Sequence, residues 1–170
     1  MNQAATTIRL AAPRDAQAIA VMSRDHIESG LGWRYDPAKV QRAMRNRETT
    51  VIAACERAAL IGFAIMDFGD ERAHLVLLAV QPSRRRRGIG RALVDWLIDS
   101  ARTAGIASVH LELRADNEAS RRFYRALGFS ETVLMPRYYD GREAAMRMIR
   151  VLRAPGPLPL AWRPPALGQM

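Results

Sequence analysis

The chain has 170 residues, 49% of them hydrophobic and 25% charged, which is typical of one soluble globular domain with a sizeable core. Its 26 basic and 17 acidic residues give a formal net charge of +9, which attracts polyanions without selecting among nucleic acid, anionic lipid and phosphorylated ligands. The composition excludes an intramolecular disulfide, because Cys55 is the single cysteine, and gives no zinc-ligand spacing and no apolar run of about 18 residues for a membrane-spanning helix.

The first half of the chain predicts short strands interspersed with helices. Residues 7–10 form a strand, a helix begins at Asp15, and a second helix starts at Pro37 and ends near residue 45. Strands are expected over 50–54 and 60–66, followed by a hairpin turn that contains a Gly-Asp pair. The next strand, residues 74–80, is nearly all apolar, which predicts burial on both faces.

A strand–helix–strand unit follows. Residues 89–104 carry apolar side chains at the spacing of an amphipathic helix, and Gly105 ends it. Residues 109–114 alternate between apolar and polar side chains, as a half-buried strand does. A helix between two strands at this spacing predicts a right-handed crossover that joins parallel strands.

The last third of the chain predicts a short helix, two closing strands and a tail. The helix begins near Asn117 and ends at Gly128, and the strands cover 129–133 and 144–152. Residues 1–152 are therefore expected to form one domain, and 153–170 a proline-rich, irregular C-terminal tail.

The stretch LLAVQPSRRRRGIGRAL, residues 77–93, has the composition of an anion-binding turn. Apolar strand residues lead into four arginines, then Gly88 and Gly90, then the helix. Glycines let the backbone approach a ligand closely, and the first N–H groups of a helix suit a phosphate. The stretch is neither a P-loop nor a dinucleotide fingerprint, since Leu93 stands where the third glycine of that fingerprint belongs. It predicts a phosphate or pyrophosphate site, with a solvated basic turn as the alternative.

A second pattern, LELRADNEASRRFYRALGF, spans residues 111–129. On a helix that begins near Asn117, Tyr124 lies seven residues later on the same face, opposite an apolar face that includes Ala119 and Phe123. Taken alone, the pattern is more typical of a capping asparagine and a surface tyrosine than of a functional pair.

Together the two patterns resemble the GNAT superfamily of acyl-CoA-dependent N-acetyltransferases. Its R-x-x-G-x-G signature is matched by Arg85, Gly88 and Gly90, and its N-x-x-A/S-x-x-x-Y-x-x-x-G-F pattern by Asn117, Ser120, Tyr124, Gly128 and Phe129. The resemblance covers residues 7 to about 152 and implies an α/β fold. The sheet would be mixed and mostly antiparallel, with about seven strands, a parallel βαβ splay at strands 4 and 5, and about four flanking helices.

Within that superfamily the chain is most similar to the bacterial ribosomal-protein alanine N-acetyltransferases. The late segment RYYDGREAAMRM supports this similarity together with the two patterns above. The region GLGWRY, on the expected substrate side, is less similar.

The resemblance implies acetyl-CoA as cosubstrate and no metal. The backbone of residues 85–91 would hold the pyrophosphate, and strand residues 78–80 would bind the pantetheine arm, with the Val80 N–H polarising the thioester carbonyl. The residues that the resemblance assigns to the cofactor are Leu78, Ala79, Val80, Arg85, Arg86, Arg87, Gly88, Ile89, Gly90, Arg91, Asn117 and Tyr124.

The implied reaction is direct attack of a primary amine on acetyl-CoA through a tetrahedral intermediate. Tyr124 would be the general acid that protonates the CoA thiolate, and Glu112 stands where the alanine acetyltransferases place their base. His74 is the alternative base, because imidazole titrates near neutral pH, and deprotonation through water also stays open.

The acceptor amine would be recognised by aromatic residues, with Trp33, Tyr35, Tyr138 and Tyr139 as candidates. The resemblance favours the α-amine of a protein N-terminus, which has a pKa of about 7.7–8.0 and needs less help from a base than lysine. A small-molecule amine is one alternative, and an acyl-CoA-binding or nucleic-acid- or ribosome-binding module without turnover is another. A homodimer stays open, no membrane partner is expected, and the lack of a secretory signal predicts a cytoplasmic protein.

Overall fold

The computed structural model describes residues 5–153, and these form one mixed sheet with helices on both faces. The strands are β1 (Thr6–Leu10), β2 (Thr49–Glu56), β3 (Ala59–Phe68), β4 (Arg72–Val80), β5 (Ser108–Arg114), β6 (Ser130–Tyr139) and β7 (Glu143–Val151), and the helices are α1 (Ala16–His26), α2 (Pro37–Arg45), α3 (Ile89–Thr103) and α4 (Glu118–Ala126). The seven strands lie in the order β1-β2-β3-β4-β5-β7-β6. The expected mixed α/β sheet is therefore confirmed. Residues 154–170, most of the predicted tail, lie outside the described residues.

The local signals that predicted the helix ends are present in the structure. The Asp36 side chain accepts a hydrogen bond from the Lys39 N–H at 2.7 Å, and Pro37 follows as the first residue of α2. Gly105 ends α3 with a φ of +77°, a left-handed conformation that suits glycine. Within the described residues, no helix is long and apolar enough to cross a membrane.

The strands β4 and β5 pair in parallel over their first residues and then separate. Their register runs from Arg72 opposite Ser108 to His74 opposite His110. Beyond that point β5 stays paired with β7, whereas β4 stays paired with β3 through a β-bulge near Ile65. The expected splay is therefore confirmed, and it opens a wedge between the second halves of β4 and β5.

Each face of the sheet has its own core. The core on the α3 side includes Leu93, Leu97 and Leu111, and the core on the α1 side includes Ile19 and Phe63. The prediction that 74–80 is buried on both faces is confirmed in part. Leu75 belongs to the core on the α3 side, and Leu77 and Ala79 belong to the core on the α1 side, while the alternate residues of β4 are half-buried.

Candidate active site

A pocket of about 390 Å³ occupies the wedge between β4 and β5. Its lining comes from β4, β5, α4, the loop between α1 and α2, and the end of β6. Eight of the predicted site residues line it, namely Tyr35, His74, Leu78, Glu112, Asn117, Tyr124, Tyr138 and Tyr139. The fold therefore brings both candidate bases and the candidate acid into one cavity.

Glu112 lies on β5 with both carboxylate oxygens hydrogen bonded. Arg147 on β7 donates from Nε to Oε1 at 2.8 Å, and His74 Nε2 lies 2.5 Å from Oε2. The two partners reach it because Arg147 is its register partner and His74 pairs with the preceding polar residue of β5, His110. The hydrogen bond to His74 lowers the pKa of the Glu112 carboxyl most, and Arg147 lowers it further against the opposing effect of burial.

The two members of the Glu112–His74 pair differ in their exposure to solvent. The Glu112 side chain is 8% exposed, whereas the His74 side chain is 45% exposed. The neighbouring His110 bonds to Ser108 Oγ through Nε2 at 2.9 Å, and burial with the nearby Arg72 and Arg147 lowers its pKa. The cavity therefore has a buried carboxylate whose imidazole partner reaches solvent.

Tyr124 is the buried residue of α4, and its ring packs edge-on against Phe123 and Phe129, with ring centroids 5.0 and 5.5 Å away. Burial raises the pKa of its phenol, so the hydroxyl keeps its proton at neutral pH. The apolar face predicted for this helix is wrong in part, because Ala119 is exposed and Tyr124 is the buried residue. An aromatic ring buries far more apolar surface than a methyl group, so the tyrosine takes the core position.

The basic turn after β4 lies outside the pocket lining, at the N-terminus of α3. Gly88 has a φ of +78° immediately before the helix, and a Cβ at Gly90 would meet the Phe123 ring at 3.2 Å. Arg85 donates from Nε to the Val80 carbonyl at 3.0 Å, which fixes the turn to the end of β4. The exposed cations of the turn, Arg86, Arg87 and Arg91, form no ion pair with another described residue.

The loop between α1 and α2, which lines the pocket, contacts the loop between β6 and β7. Arg34 of the loop between α1 and α2 pairs with Asp140 of the loop between β6 and β7 at 2.9 Å, and the Gly32 N–H donates to the same carboxylate at 3.3 Å. Buried Glu28 holds the first loop by accepting from Ser23 Oγ at 3.0 Å and from the Arg34 N–H at 2.8 Å. These contacts shape the mouth of the pocket.

Two of the predicted aromatic residues differ in their surroundings. Tyr139 packs edge-on against Tyr138 with centroids 5.0 Å apart, and burial raises the pKa of Tyr139 to about 12. Trp33 lies outside the pocket lining. It is 41% exposed, and the Arg24 guanidinium lies 5.5 Å above its ring.

Of the predicted cofactor residues, Ala79 and Val80 also lie outside the lining.

Sequence reasoning missed Arg147, Glu28 and Asp140. Arg147 interrupts the apolar run AAMRMI, and a charge within an apolar strand was the available signal for it. Among the described residues no group of three or more histidine, cysteine, aspartate or glutamate side chains is placed to hold a metal ion.

The chain is similar to known proteins in both sequence and fold. The profile of the acetyltransferase (GNAT) family matches residues 18–129. The ribosomal protein bS18-alanine N-acetyltransferase of Escherichia coli K12 is 40% identical over 96 residues, which are 55% of this chain and 65% of that protein. The crystal structure of the Escherichia coli ribosomal-protein-S18-alanine N-acetyltransferase aligns with a TM-score of 0.77 and 28% identity, covering 91% of this chain and 99% of the other.

Two further proteins extend the comparison. The N-alpha-acetyltransferase RimI of Mycobacterium tuberculosis is 33% identical over 131 residues, 74% of this chain and 78% of that protein. The structure of yncA from Salmonella typhimurium, a putative acetyltransferase with its cofactor acetyl-CoA, aligns with a TM-score of 0.75 and 25% identity over 89% of this chain and 96% of the other.

Proposed function

The chain belongs to the acetyltransferase (GNAT) family, and we propose that it transfers the acetyl group of acetyl-CoA to the α-amine of a protein N-terminus. The observation that carries the proposal is the wedge itself. It gathers Glu112, His74 and Tyr124 in one pocket, so that groups able to accept and to donate a proton line the same cavity.

The residues around the wedge fit acetyl-CoA as a substrate. The turn at 85–91 offers helix N–H groups and unpaired arginines to the pyrophosphate. Residues 75–80 of β4 have no partner on β5, so their backbone is open to strand-like bonds with the pantetheine arm. Asn117 lines the same pocket, and its side-chain amide would bind the arm as well.

In this proposal four residues of the chain carry the chemistry. The Glu112–His74 pair removes a proton from the ammonium of the acceptor, and the free amine attacks the thioester carbonyl. The nitrogen of the tetrahedral intermediate then loses its second proton to solvent. The Val80 N–H stabilises the negative oxygen of the tetrahedral intermediate. When the carbon–sulfur bond breaks, Tyr124 gives its proton to the sulfur, a role that suits a phenol kept protonated by burial.

A peptide acceptor is supported by three features. The proteins with similar sequences include a ribosomal protein bS18-alanine N-acetyltransferase and an N-alpha-acetyltransferase. The mouth of the pocket lies between two loops, and Tyr138 and Tyr139 line it with groups that can bind a peptide backbone. The match covers 65% of the first of these relatives, so we propose, by similarity to it, that this chain also acetylates a protein N-terminus.

The test measures CoA release by thiol titration. Acceptors are peptides beginning with Ala or Ser, beside a panel of a polyamine, an aminoglycoside and an amino-acid derivative. We expect turnover on the peptides, and in Tyr124→Phe a fall in kcat of about 100-fold, the contribution of one general acid, with an unchanged KM for acetyl-CoA.

Two results would contradict the proposal. Turnover on a small amine and on no peptide would overturn the acceptor and leave acetyl transfer in place. Acetyl-CoA binding without turnover, together with tight and steeply salt-dependent RNA binding, would favour a binding module instead.

A further inference from the structure

The Glu112–His74 pair has two members with unequal access to a proton. Both oxygens of the Glu112 carboxylate are engaged, by Arg147 and by His74, and its side chain is 8% exposed. His74 uses Nε2 for this contact, and its Nδ1 has no hydrogen-bond partner among the described residues. His74 also lines the pocket and is 45% exposed, so its ring connects the cavity with solvent.

The hydrogen bonds around Glu112 favour its anionic form. Two donors stabilise the carboxylate, and they lower its pKa, which weakens it as a proton acceptor. An anionic carboxylate beside an imidazole has a second effect. It fixes the tautomer and orientation of the ring and stabilises the imidazolium that forms when the ring takes a proton.

Resting on the acetyl transfer proposed above, we infer that His74 is the residue that accepts the proton of the acceptor ammonium, and that Glu112, held by Arg147, is its positioning residue. The N–H bond of the ammonium breaks and a bond from Nδ1 of His74 to that proton forms. The imidazolium then releases the proton to water at its exposed edge. The amine lone pair attacks the carbonyl carbon, and the nitrogen of the tetrahedral intermediate gives up its second proton to solvent. The carbon–sulfur bond then breaks, and the sulfur takes the proton of Tyr124, which solvent replaces.

The charges that face His74 come from every neighbouring strand. They belong to Asp67 on β3, Arg72 on β4 itself, and His110 and Glu112 on β5, while Arg147 on β7 contacts Glu112. Asp67 and Glu112 carry negative charge, whereas Arg72 and Arg147 carry positive charge. Since burial and both arginines lower the pKa of His110, that ring stays neutral and adds no positive charge beside His74.

The test compares the pH profiles of the wild type and His74→Ala on an Ala-initiated peptide. At pH 7, where only about a tenth of an α-amine of pKa near 8 is free, we expect kcat/KM of the variant to fall about tenfold. Above about pH 9.5, where this amine is already deprotonated, the loss should shrink to within about twofold. Added imidazole should restore part of the activity of His74→Ala, because the exposed site admits a small base, and should not restore Tyr124→Phe. The KM for acetyl-CoA and the melting temperature serve as folding controls.

The positioning role of Glu112 is tested with Glu112→Gln. We expect a loss of about tenfold at pH 7 that imidazole does not rescue, because the ring is present and misoriented. A direct readout is the ¹⁵N spectrum of the three histidines, assigned with His74→Gln. In the wild type the neutral ring of His74 should carry its proton on Nε2, and in Glu112→Gln the ring should lose its preference for this tautomer.

The outcomes separate this inference from the proposed function. If His74→Ala keeps more than half of the wild-type activity at pH 7 while Glu112→Gln abolishes it, His74 is not the acceptor and acetyl transfer stands. An Nδ1-protonated His74 would likewise overturn the inference. If the wild type acetylates no amine, the proposed function fails, and the proton-accepting role of His74 fails with it, even where the spectrum confirms the pairing with Glu112.

Discussion

Asn117 presents two chemically different ends of one side chain. Its Oδ1 accepts from the Ser120 N–H at 3.1 Å and caps α4, and the residue also lines the pocket. Asn117→Asp keeps the capping oxygen and replaces the NH₂ donor with a second acceptor. We expect an unchanged melting temperature and a KM for acetyl-CoA raised roughly tenfold, the loss of about one hydrogen bond.

The matched variant for this residue is Asn117→Ala, which removes both ends. It should raise the KM for acetyl-CoA similarly and also destabilise the fold by about 1 kcal/mol, as the loss of an N-cap does. A wild-type KM in Asn117→Asp would mean that the residue caps the helix and does not bind the pantetheine arm.

Asp15 provides a pH-dependent contribution to stability away from the pocket. Its carboxylate accepts from Arg9 at 2.7 and 3.1 Å and from the Ala12 N–H at 2.7 Å, and the hydrogen bond from Arg9 is the main cause that lowers its pKa. In acid the folded chain binds fewer protons at this carboxyl than the unfolded chain does. The contribution is therefore complete well above the unfolded value near 3.9 and is lost as pH falls through the lower folded value.

Urea unfolding of Asp15→Asn at several pH values measures this contribution. We expect the variant to be less stable than the wild type by about 2 kcal/mol at pH 7, with the difference constant down to about pH 5 and shrinking below it. The control is Asp25→Asn, whose exposed carboxylate pairs with the adjacent Arg24 and should leave stability unchanged. A pH-independent difference would mean that Asp15 acts through packing and not through its charge.

Motif spacing predicted Glu112, Asn117 and Tyr124 because they lie close together along the chain. Arg147 reaches Glu112 across 35 residues, and Asp140 reaches Arg34 across 106. Such contacts depend on strand register and loop packing, which are defined only in the folded sheet. The sequence therefore predicted the residues assigned to chemistry and missed those that hold them in place.

At the scale of elements, the start of α3 has a left-handed backbone conformation at Gly88, within the expected pyrophosphate site. Gly88 has a φ of +78°, and a Cβ there would meet nothing within 4 Å, so Gly88→Ala costs only the backbone strain of about 1 kcal/mol. Relief of that strain would reorient the N–H groups of the turn. We expect the KM for acetyl-CoA to rise roughly tenfold, measured with thermal unfolding on the same samples.

Gly105 offers a control on the same helix. It has a φ of +77°, it too has open space around its Cα, and it lies at the opposite end of α3. Gly105→Ala should lower stability by a similar amount and leave the KM for acetyl-CoA unchanged. Equal effects of the two variants on KM would show that general destabilisation, and not the geometry of the turn, weakens binding.

Element boundaries were predicted best where a local signal marks them. The crossover from β4 through α3 to β5 and the start of α2 at Pro37 agree with the sequence. The prediction for β6 ended at residue 133, whereas the strand continues to Tyr139. Two irregularities in its pairing with β7 break the alternation of side chains, so periodicity could not follow the strand to its end.

For the whole molecule, the wedge relates sheet topology to function. Because β7 and not β4 pairs with the second half of β5, the sheet opens at its centre without losing continuity. The larger core of the α3 side runs beneath this opening and includes Tyr124. A cavity lined by strand residues is thus held on both sides by paired strands, which keeps its side chains in fixed positions.

The net charge of +9 predicts how the molecule meets an anionic substrate. Arg86 and Arg87 are exposed beside the proposed pyrophosphate site and form no ion pair with a described residue. Surface charges steer association, and salt screens them with a Debye length of about 10 Å at 0.1 M. We expect kcat/KM for acetyl-CoA to fall severalfold between about 50 and about 300 mM NaCl.

A charge-matched pair of variants distinguishes local from global attraction. Replacing Arg86 and Arg87 by Gln, or Arg42 and Arg45 on α2 by Gln, removes two positive charges and lowers the net charge from +9 to +7 in each case. If the cluster at α3 steers acetyl-CoA, the first variant should start lower at low salt and respond less to NaCl, while the second should follow the wild type. The reason is that each exposed charge acts mainly within a Debye length of the phosphates. Identical salt profiles for the two variants would instead assign the attraction to the charge of the molecule as a whole.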